Sequence, residues 1–219
     1  QHKMNFVLLA SAGVSKFGYE EYLGVDRGFD SIYVVAGLEE VFSQNFRCGV
    51  RAGFQNASYN DKSQGSESSP YGSISVQMST MPSTRITASL SHMIREAFIF
   101  PFSSQESTEF NVRLDWDSPI PELRFALIGA YRVGDYKADN IPAALLSQYL
   151  TDPVLSEYAR TYGSQTSGTE NTFVVAAEVG FKIGLGTKIK FVQSYENVDS
   201  DVRWSYNRNA SNIVLTREF

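Results

Sequence analysis

Two unlike faces alternate with a period of two along most of the chain, and this pattern constrains the fold more than any other feature. From Phe46 to Asn56, Phe46, Cys48, Val50, Ala52 and Phe54 fall on one side, and Arg47, Gly49, Arg51, Gly53 and Gln55 on the other. The same rhythm sets Phe110, Val112, Leu114 and Trp116 against Glu109, Asn111, Arg113, Asp115 and Asp117. It recurs in Phe173, Val175, Ala177, Val179, Phe181 and Ile183 against Thr172, Val174, Ala176, Glu178, Gly180 and Lys182. Side chains of a strand point alternately to opposite faces, whereas a helix repeats near 3.6, so these segments read as strands with one apolar and one polar side. Ten are expected, near 4–15, 31–42, 46–56, 73–80, 84–95, 108–117, 123–133, 172–183, 187–196 and 208–219. Most approach the ~9–11 residues that a tilted strand needs to cross a bilayer, and exceed the ~5–6 usual in soluble sheets.

The connections between these strands alternate between long and short. Met81-Pro82-Ser83, Ser118-Pro119-Ile120-Pro121-Glu122 and Gly184-Leu185-Gly186 are short and carry turn residues, whereas 57–72 and 134–171 are long and polar. A meander with tight turns at one end and long loops at the other is the layout of outer-membrane barrels, with short periplasmic turns and long extracellular loops. The expectation is therefore an all-β, single-domain chain (1–219): a closed, antiparallel, up-and-down transmembrane β-barrel of about ten strands.

The last strand carries a family resemblance. Asn212-Ile213-Val214-Leu215-Thr216-Arg217-Glu218-Phe219 places Ile213, Leu215 and Phe219 in one parity and ends on an aromatic. It resembles the C-terminal strand of Gram-negative outer-membrane β-barrel proteins, the superfamily of small porin-like barrels; Arg217 departs from the apolar residue usual two positions before the end. The resemblance implies a bacterial outer-membrane location, a bilayer and lipopolysaccharide as surroundings, and Phe219 as part of the signal read by the barrel-insertion machinery. It identifies no particular member.

Composition fits that expectation. The mean hydropathy of −0.21 and the longest apolar run, Phe125 to Tyr131, exclude a transmembrane helix of ~18 or more apolar residues. A net charge of −5 argues against a nucleic-acid partner, and the single cysteine, Cys48, excludes an intrachain disulfide. Gln1-His2-Lys3-Met4 leads directly into Phe6–Ala10 with no signal-peptide pattern, so a mature chain whose signal peptide has been removed is expected.

In a membrane barrel the apolar set faces lipid and the polar set lines the interior. Aromatics near strand ends, among them Phe42, Phe46, Phe54, Trp116, Phe125, Tyr131, Phe173, Phe181 and Tyr195, are expected to form girdles at the two interfaces. Arg47, Arg51, Arg85, Arg95, Glu109, Arg113, Asp115, Asp117, Arg124, Arg132 and Glu178 are the expected interior ion-pair network. One hairpin register that sets Asp117 opposite Arg124 also sets Glu109 opposite Arg132. Buried charges must be paired, and a barrel of about ten strands is narrow, so the interior should be largely filled.

Catalytic chemistry finds little support. Of two histidines, His2 is terminal and His92 shares parity with Ile86, Leu90 and Ile94, toward lipid. The mouth histidine of the omptin proteases, which share the strand count, has no counterpart. No catalytic residue, metal site or cofactor is assigned; Glu196, Asp199 and Asp201 read as a solvated acidic loop.

The segment 134–171 is long enough to signal function. Asp152-Pro153 before Val154–Tyr162 and Gly163 reads as a capped short helix, with a second helical stretch in 141–150. Leu145, Leu146, Tyr149, Leu150, Leu155 and Tyr158 need burial, either as a lid over the mouth or against an envelope partner protein. The leading functional expectation is a non-enzymatic outer-membrane barrel whose loops engage a partner or surface ligand. A narrow, weakly anion-favouring channel follows, motivated by the arginines of the inner face, and an outer-membrane enzyme comes last.

Overall fold

Strands form where β-branched and aromatic residues alternate with polar ones, because a pleated strand presents them to two different environments. The computed structural model describes residues 6–18, 26–97, 99–154, 156–157, 166–183 and 186–217. Its ten strands are β1 (Phe6–Phe17), β2 (Phe29–Ser43), β3 (Phe46–Tyr59), β4 (Ser66–Met81), β5 (Thr84–Glu96), β6 (Ser104–Asp117), β7 (Leu123–Tyr136), β8 (Gly168–Ile183), β9 (Thr187–Ser200) and β10 (Tyr206–Arg217). They form one antiparallel sheet in sequence order, each strand paired with the next. One short helix, α1 (Ala143–Thr151), follows a 3-10 turn at Ala138–Asn140.

The strands are longer than the alternation indicated, and the extra residues lie at the long-loop end. β4 begins at Ser66 and takes in Pro70, β8 begins at Gly168 and β9 runs to Ser200. The expected loop 57–72 thus shrinks to 60–65 and the last long loop to 201–205. Polar residues dominate these extensions, with Val198 an apolar exception, so the hydrophobic period disappears while the backbone ladder continues. Pro70 is tolerated because β4 pairs with β5 only from Gly72↔His92 downward, leaving its missing N–H on an unpaired edge.

That fork between β4 and β5 shapes the upper part of the molecule. Above it, β5 stays paired with β6 alone, and the two tuck beneath β2 and β3. Ile94 therefore packs with Phe29, Ala57, Tyr59 and Phe17 instead of facing outward as its parity suggested. The Gln55 side chain replaces the lost strand neighbour: its Oε1 accepts from the Ile94 N–H at 2.9 Å and its Nε2 donates to the Ile94 carbonyl at 2.9 Å.

A second cluster closes the loop end. Ala97, Ile99, Phe102, Tyr136, Ile141, Leu145 and Val202 are buried together, drawn from the end of β7, from the connections after β5, β7 and β9 and from α1. Arg27, before β2, donates to the Phe102 carbonyl at 2.9 Å. Both ends of the sheet thereby converge on one plug.

The sheet is not closed by hydrogen bonds. Among the described residues β1 and β10 remain its two edges, where a closed barrel was expected. Every other ladder is set by a connection between its own two strands, whereas β1 and β10 are joined by none. Their register is also weakly dictated, because the outer side of β10 carries Asn207, Asn209 and Ser211 where the other strands carry apolar residues.

Candidate functional site

The face on which side chains of different strands reach one another is called inner here; it comprises odd-numbered residues in β1–β6 and even-numbered ones in β7–β10. The opposite face carries the exposed apolar residues, including Leu38, Val50, Ile74, Leu90, Phe110, Leu127, Val175, Phe191 and Ile213. Aromatics collect toward its margins. Phe42 packs at a tilt against Phe46, and Trp116 stacks on Phe125, at the short-turn end, with centroids 5.3 and 5.1 Å apart. Phe110, Tyr131 and Phe173 form one cross-strand row higher up.

Part of the expected charge network assembles on the inner face. Glu178 accepts from Arg113 at 2.9 Å and Lys190 at 3.2 Å, and Arg113 also donates to Asp115 at 2.8 Å. The β6–β7 register is Asp117↔Arg124 and Glu109↔Arg132. Asp117 and Arg124 pair at 3.0 Å, but Glu109 takes Arg95 from the preceding strand at 2.5 Å. Arg132 instead donates to Thr172 at 3.3 Å. Direct opposition fixes Cα neighbours, while long side chains choose among diagonal partners as well.

Arg47, Arg51 and Arg85 depart from the expectation that every inner charge is paired: they are exposed and make no ion pair among the described residues. Water solvates them, so the penalty for a buried unpaired charge does not arise. The inner face is correspondingly not filled throughout. Cavities of about 410, 240 and 250 Å³ lie along it, the second bordered by Arg85 and the third by Arg51 and a row of small polar residues, Ser73, Ser75, Ser89 and Ser91.

A polar cluster at the β4–β5 fork was not visible in the sequence. His92 Nδ1 lies 2.8 Å from Thr108 Oγ1, and its Nε2 lies 3.1 Å from Glu106 and 3.4 Å from Ser69 Oγ. Lys137 donates to Glu106 at 2.9 Å and to Glu67 at 3.1 Å. These bonds hold the Lys137 ammonium above the usual lysine range, the Glu106 hydrogen bond contributing most, against the opposing effect of burial. Buried Tyr59 completes the cluster, its hydroxyl bonded to Glu67 at 2.8 Å and to Asn140 at 3.3 Å, with Ser104 alongside. His92 thus keeps the parity read from sequence, yet its ring meets hydroxyls and a carboxylate. No group of three or more His, Cys, Asp or Glu poised for a metal occurs among the described residues.

The described part of the long loop packs onto the plug. Leu145 is fully buried in the plug and so does not offer the partner-binding surface expected of it, while half-buried Leu146 packs against the plug. The mouth supplies enough apolar surface from Phe102, Tyr136 and Val202 to bury them within the chain. The N-terminus of α1 is met by Ser63, whose hydroxyl accepts from the Ala143 N–H at 3.1 Å. Asp152 caps the next helical turn, accepting from the Val154 N–H at 2.8 Å. The side chains of Tyr149 and Leu150, together with Leu155, Tyr158, Gly163 and Phe219, lie outside the described residues.

No family model matches the chain, and a search of curated proteins finds no similar sequence.

Proposed function

We propose that the chain is an integral outer-membrane β-barrel, closed between β1 and β10, that acts as a non-enzymatic scaffold presenting its loops to a partner or surface ligand. The observation that carries this reading is the inversion of polarity: the apolar set on successive strands is exposed, while the charged set pairs on the inner face. Soluble monomers rarely expose a contiguous apolar patch beyond a few hundred Å², and here such residues run across all ten strands. Lipid also demands closure, because unpaired N–H and C=O groups at a sheet edge have no partner in hydrocarbon. An even strand number makes β1 antiparallel to β10, and the shared plug draws both edges toward one centre.

In this reading the bilayer and lipopolysaccharide surround the exposed face, and the barrel-insertion machinery reads the C-terminal strand. With Leu145 buried and Leu146 half-buried, exposed Val154 and Trp204 supply apolar loop surface for an envelope partner. The plug opposes conduction. One observation favours the runner-up, a narrow anion-favouring channel: a cavity of about 410 Å³ on the inner face is bordered by more cations than carboxylates.

The test is detergent partition with heat-modifiable gel migration, followed by planar-bilayer recording. Partition and a migration shift without stable openings are expected. A protein that stays in water without detergent overturns the membrane reading, and stable openings overturn the plugged scaffold in favour of the channel.

A further inference from the structure

Near the middle of β3 the inner face carries two opposite charges that do not meet. Glu39 of β2 and Arg51 of β3 stand diagonally across their ladder, each opposed by a glycine: Glu39↔Gly49 and Gly37↔Arg51. Arg51 lies across Gly37, where a Cβ would meet its Cγ at 2.8 Å. Glu39 leans the other way over Gly49, its Cγ 3.9 Å from the Cβ position there. The side chains thus pass one another, and neither makes an ion pair or hydrogen bond among the described residues. Their neighbours do not claim them. Glu109, three strands along the Arg51 row, holds Arg95 and Asn111, and Arg47, on the far side of Glu39, is exposed to water.

Both charges border one cavity of about 250 Å³, together with Gly49 and the hydroxyls of Ser73, Ser75, Ser89 and Ser91. One cation and one carboxylate line it, so its charges balance. The four hydroxyls likewise make no hydrogen bond among the described residues. Opposite charges that share a cavity without pairing are complementary to a ligand that carries both signs itself; a neutral polyol would leave both unanswered. Glycine inside a strand weakens it and often marks the close approach of a ligand. At Gly49 it leaves the cavity floor without a side chain, where a Cβ would stand 3.2 Å from Ser75 Oγ. Diagonal strand positions are ~7–8 Å apart, a gap bridged by two hydrogen bonds of ~2.9 Å and the short span of an α-amino acid. A guanidinium matches a carboxylate bidentately, and carboxylate and hydroxyl oxygens accept the three N–H bonds of an ammonium.

We propose that this cavity binds a small zwitterion of the α-amino-acid class, its carboxylate on Arg51 and its ammonium on Glu39 and the serine hydroxyls. The site is built by β2–β5 and does not rest on the scaffold reading. The experiment follows line broadening of ¹³C-labelled L-alanine by the full chain in non-ionic detergent at fixed ionic strength, with labelled propionate and ethylamine as probes of one charge each. L-Alanine should broaden, and both single-charge probes should bind at least about tenfold more weakly. Arg51→Gln and Glu39→Gln should each weaken L-alanine by a similar factor, whereas Arg47→Gln, on the same face but outside the cavity, should leave it unchanged. Gly49→Val fills the floor without touching a charge and should abolish binding, while valine suits the strand. Far-UV circular dichroism checks the fold of each variant. No broadening of L-alanine overturns the proposal, as does a single-charge probe that binds as tightly. An equal loss in Arg47→Gln, or full binding by Gly49→Val, also overturns it, because a diffuse field and not this cavity would then hold the ligand.

Discussion

Leu127→Arg distinguishes lipid from water on the exposed face. Leu127 is 55% exposed on β7 and lies four residues above the strand foot at Leu123. With ~3.4 Å per residue and a tilt of about 40°, it sits roughly 10 Å above the foot, near the middle of an apolar band ~25 Å tall. An arginine at that depth in a bilayer costs about 2–4 kcal/mol, falling to roughly 0–1 near the interfaces. Val133, on the same face ten residues above the foot, lies at about 26 Å by the same rise and tilt and serves as the interfacial control. In water, an arginine at exposed Leu127 changes stability by only about 0.5 kcal/mol, and one at half-buried Val133 costs no less. The assay is guanidinium unfolding of vesicle-folded protein followed by tryptophan fluorescence. The expected result is a loss of about 2–4 kcal/mol for Leu127→Arg, an equilibrium shift beyond tenfold, and under about 1 kcal/mol for Val133→Arg. Equal, small losses at both depths would refute the reasoning, because no depth-dependent solvent would then face β7.

Other perturbations address the inner face and the plug. Glu178→Gln removes a nearly buried carboxylate shared by two cations; because those cations are about two-fifths exposed, water recovers part of the loss, leaving roughly 2 kcal/mol. Asp117→Asn, in a pair exposed on both sides, should cost under about 0.5 kcal/mol in the same unfolding assay, and equal costs would sink the distinction. Tyr59→Phe deprives Glu67, Ser104 and Asn140 of a shared hydroxyl; a loss of about 1–3 kcal/mol and faster amide hydrogen exchange around Asn140 are expected. Lys137 has a folded-state pKa above its unfolded value, so its stabilisation is complete below about pH 10.4 and disappears as pH rises through the folded value. Lys137→Met should therefore flatten the alkaline fall of the unfolding temperature, modestly and less at high salt because the side chain is half exposed.

The strands were legible wherever one face is apolar, because burial or lipid then fixes which parity points where. Charge alone gave the β6–β7 register, since only one alignment joins Asp117 to Arg124 while bringing Glu109 beside Arg132. Asp152-Pro153 was legible as a cap because capping is local. The strand extensions at Ser66–Ser69 and Asn197–Ser200 were not, since backbone bonds continue there without a side-chain signature. The His92–Glu106–Ser69 contacts depend on where β5 parts from β4, which no single strand encodes. Leu145 was visibly in need of burial; that it finds Val202 and Phe102 is decided by loops distant in sequence.

Filling and charge are divided between the two ends of the molecule, and this division ranks the functional readings. At the loop end, apolar side chains from three connections and α1 interlock, and Tyr59, Lys137 and Asn140 bind their polar rims. Such a cluster opens only by displacing several well-packed groups at once, since packed interiors do not deform continuously. At the short-turn end the inner face holds open cavities and exposed arginines. A solute therefore reaches the inner face from the short-turn side without disturbing the plug, whereas passage through the sheet requires α1 and Leu145 to leave. On the membrane reading, a variant that loosens the plug, such as Leu145→Ser, should permit conduction in planar-bilayer recording, and a variant that stays closed would show that the plug is not the barrier.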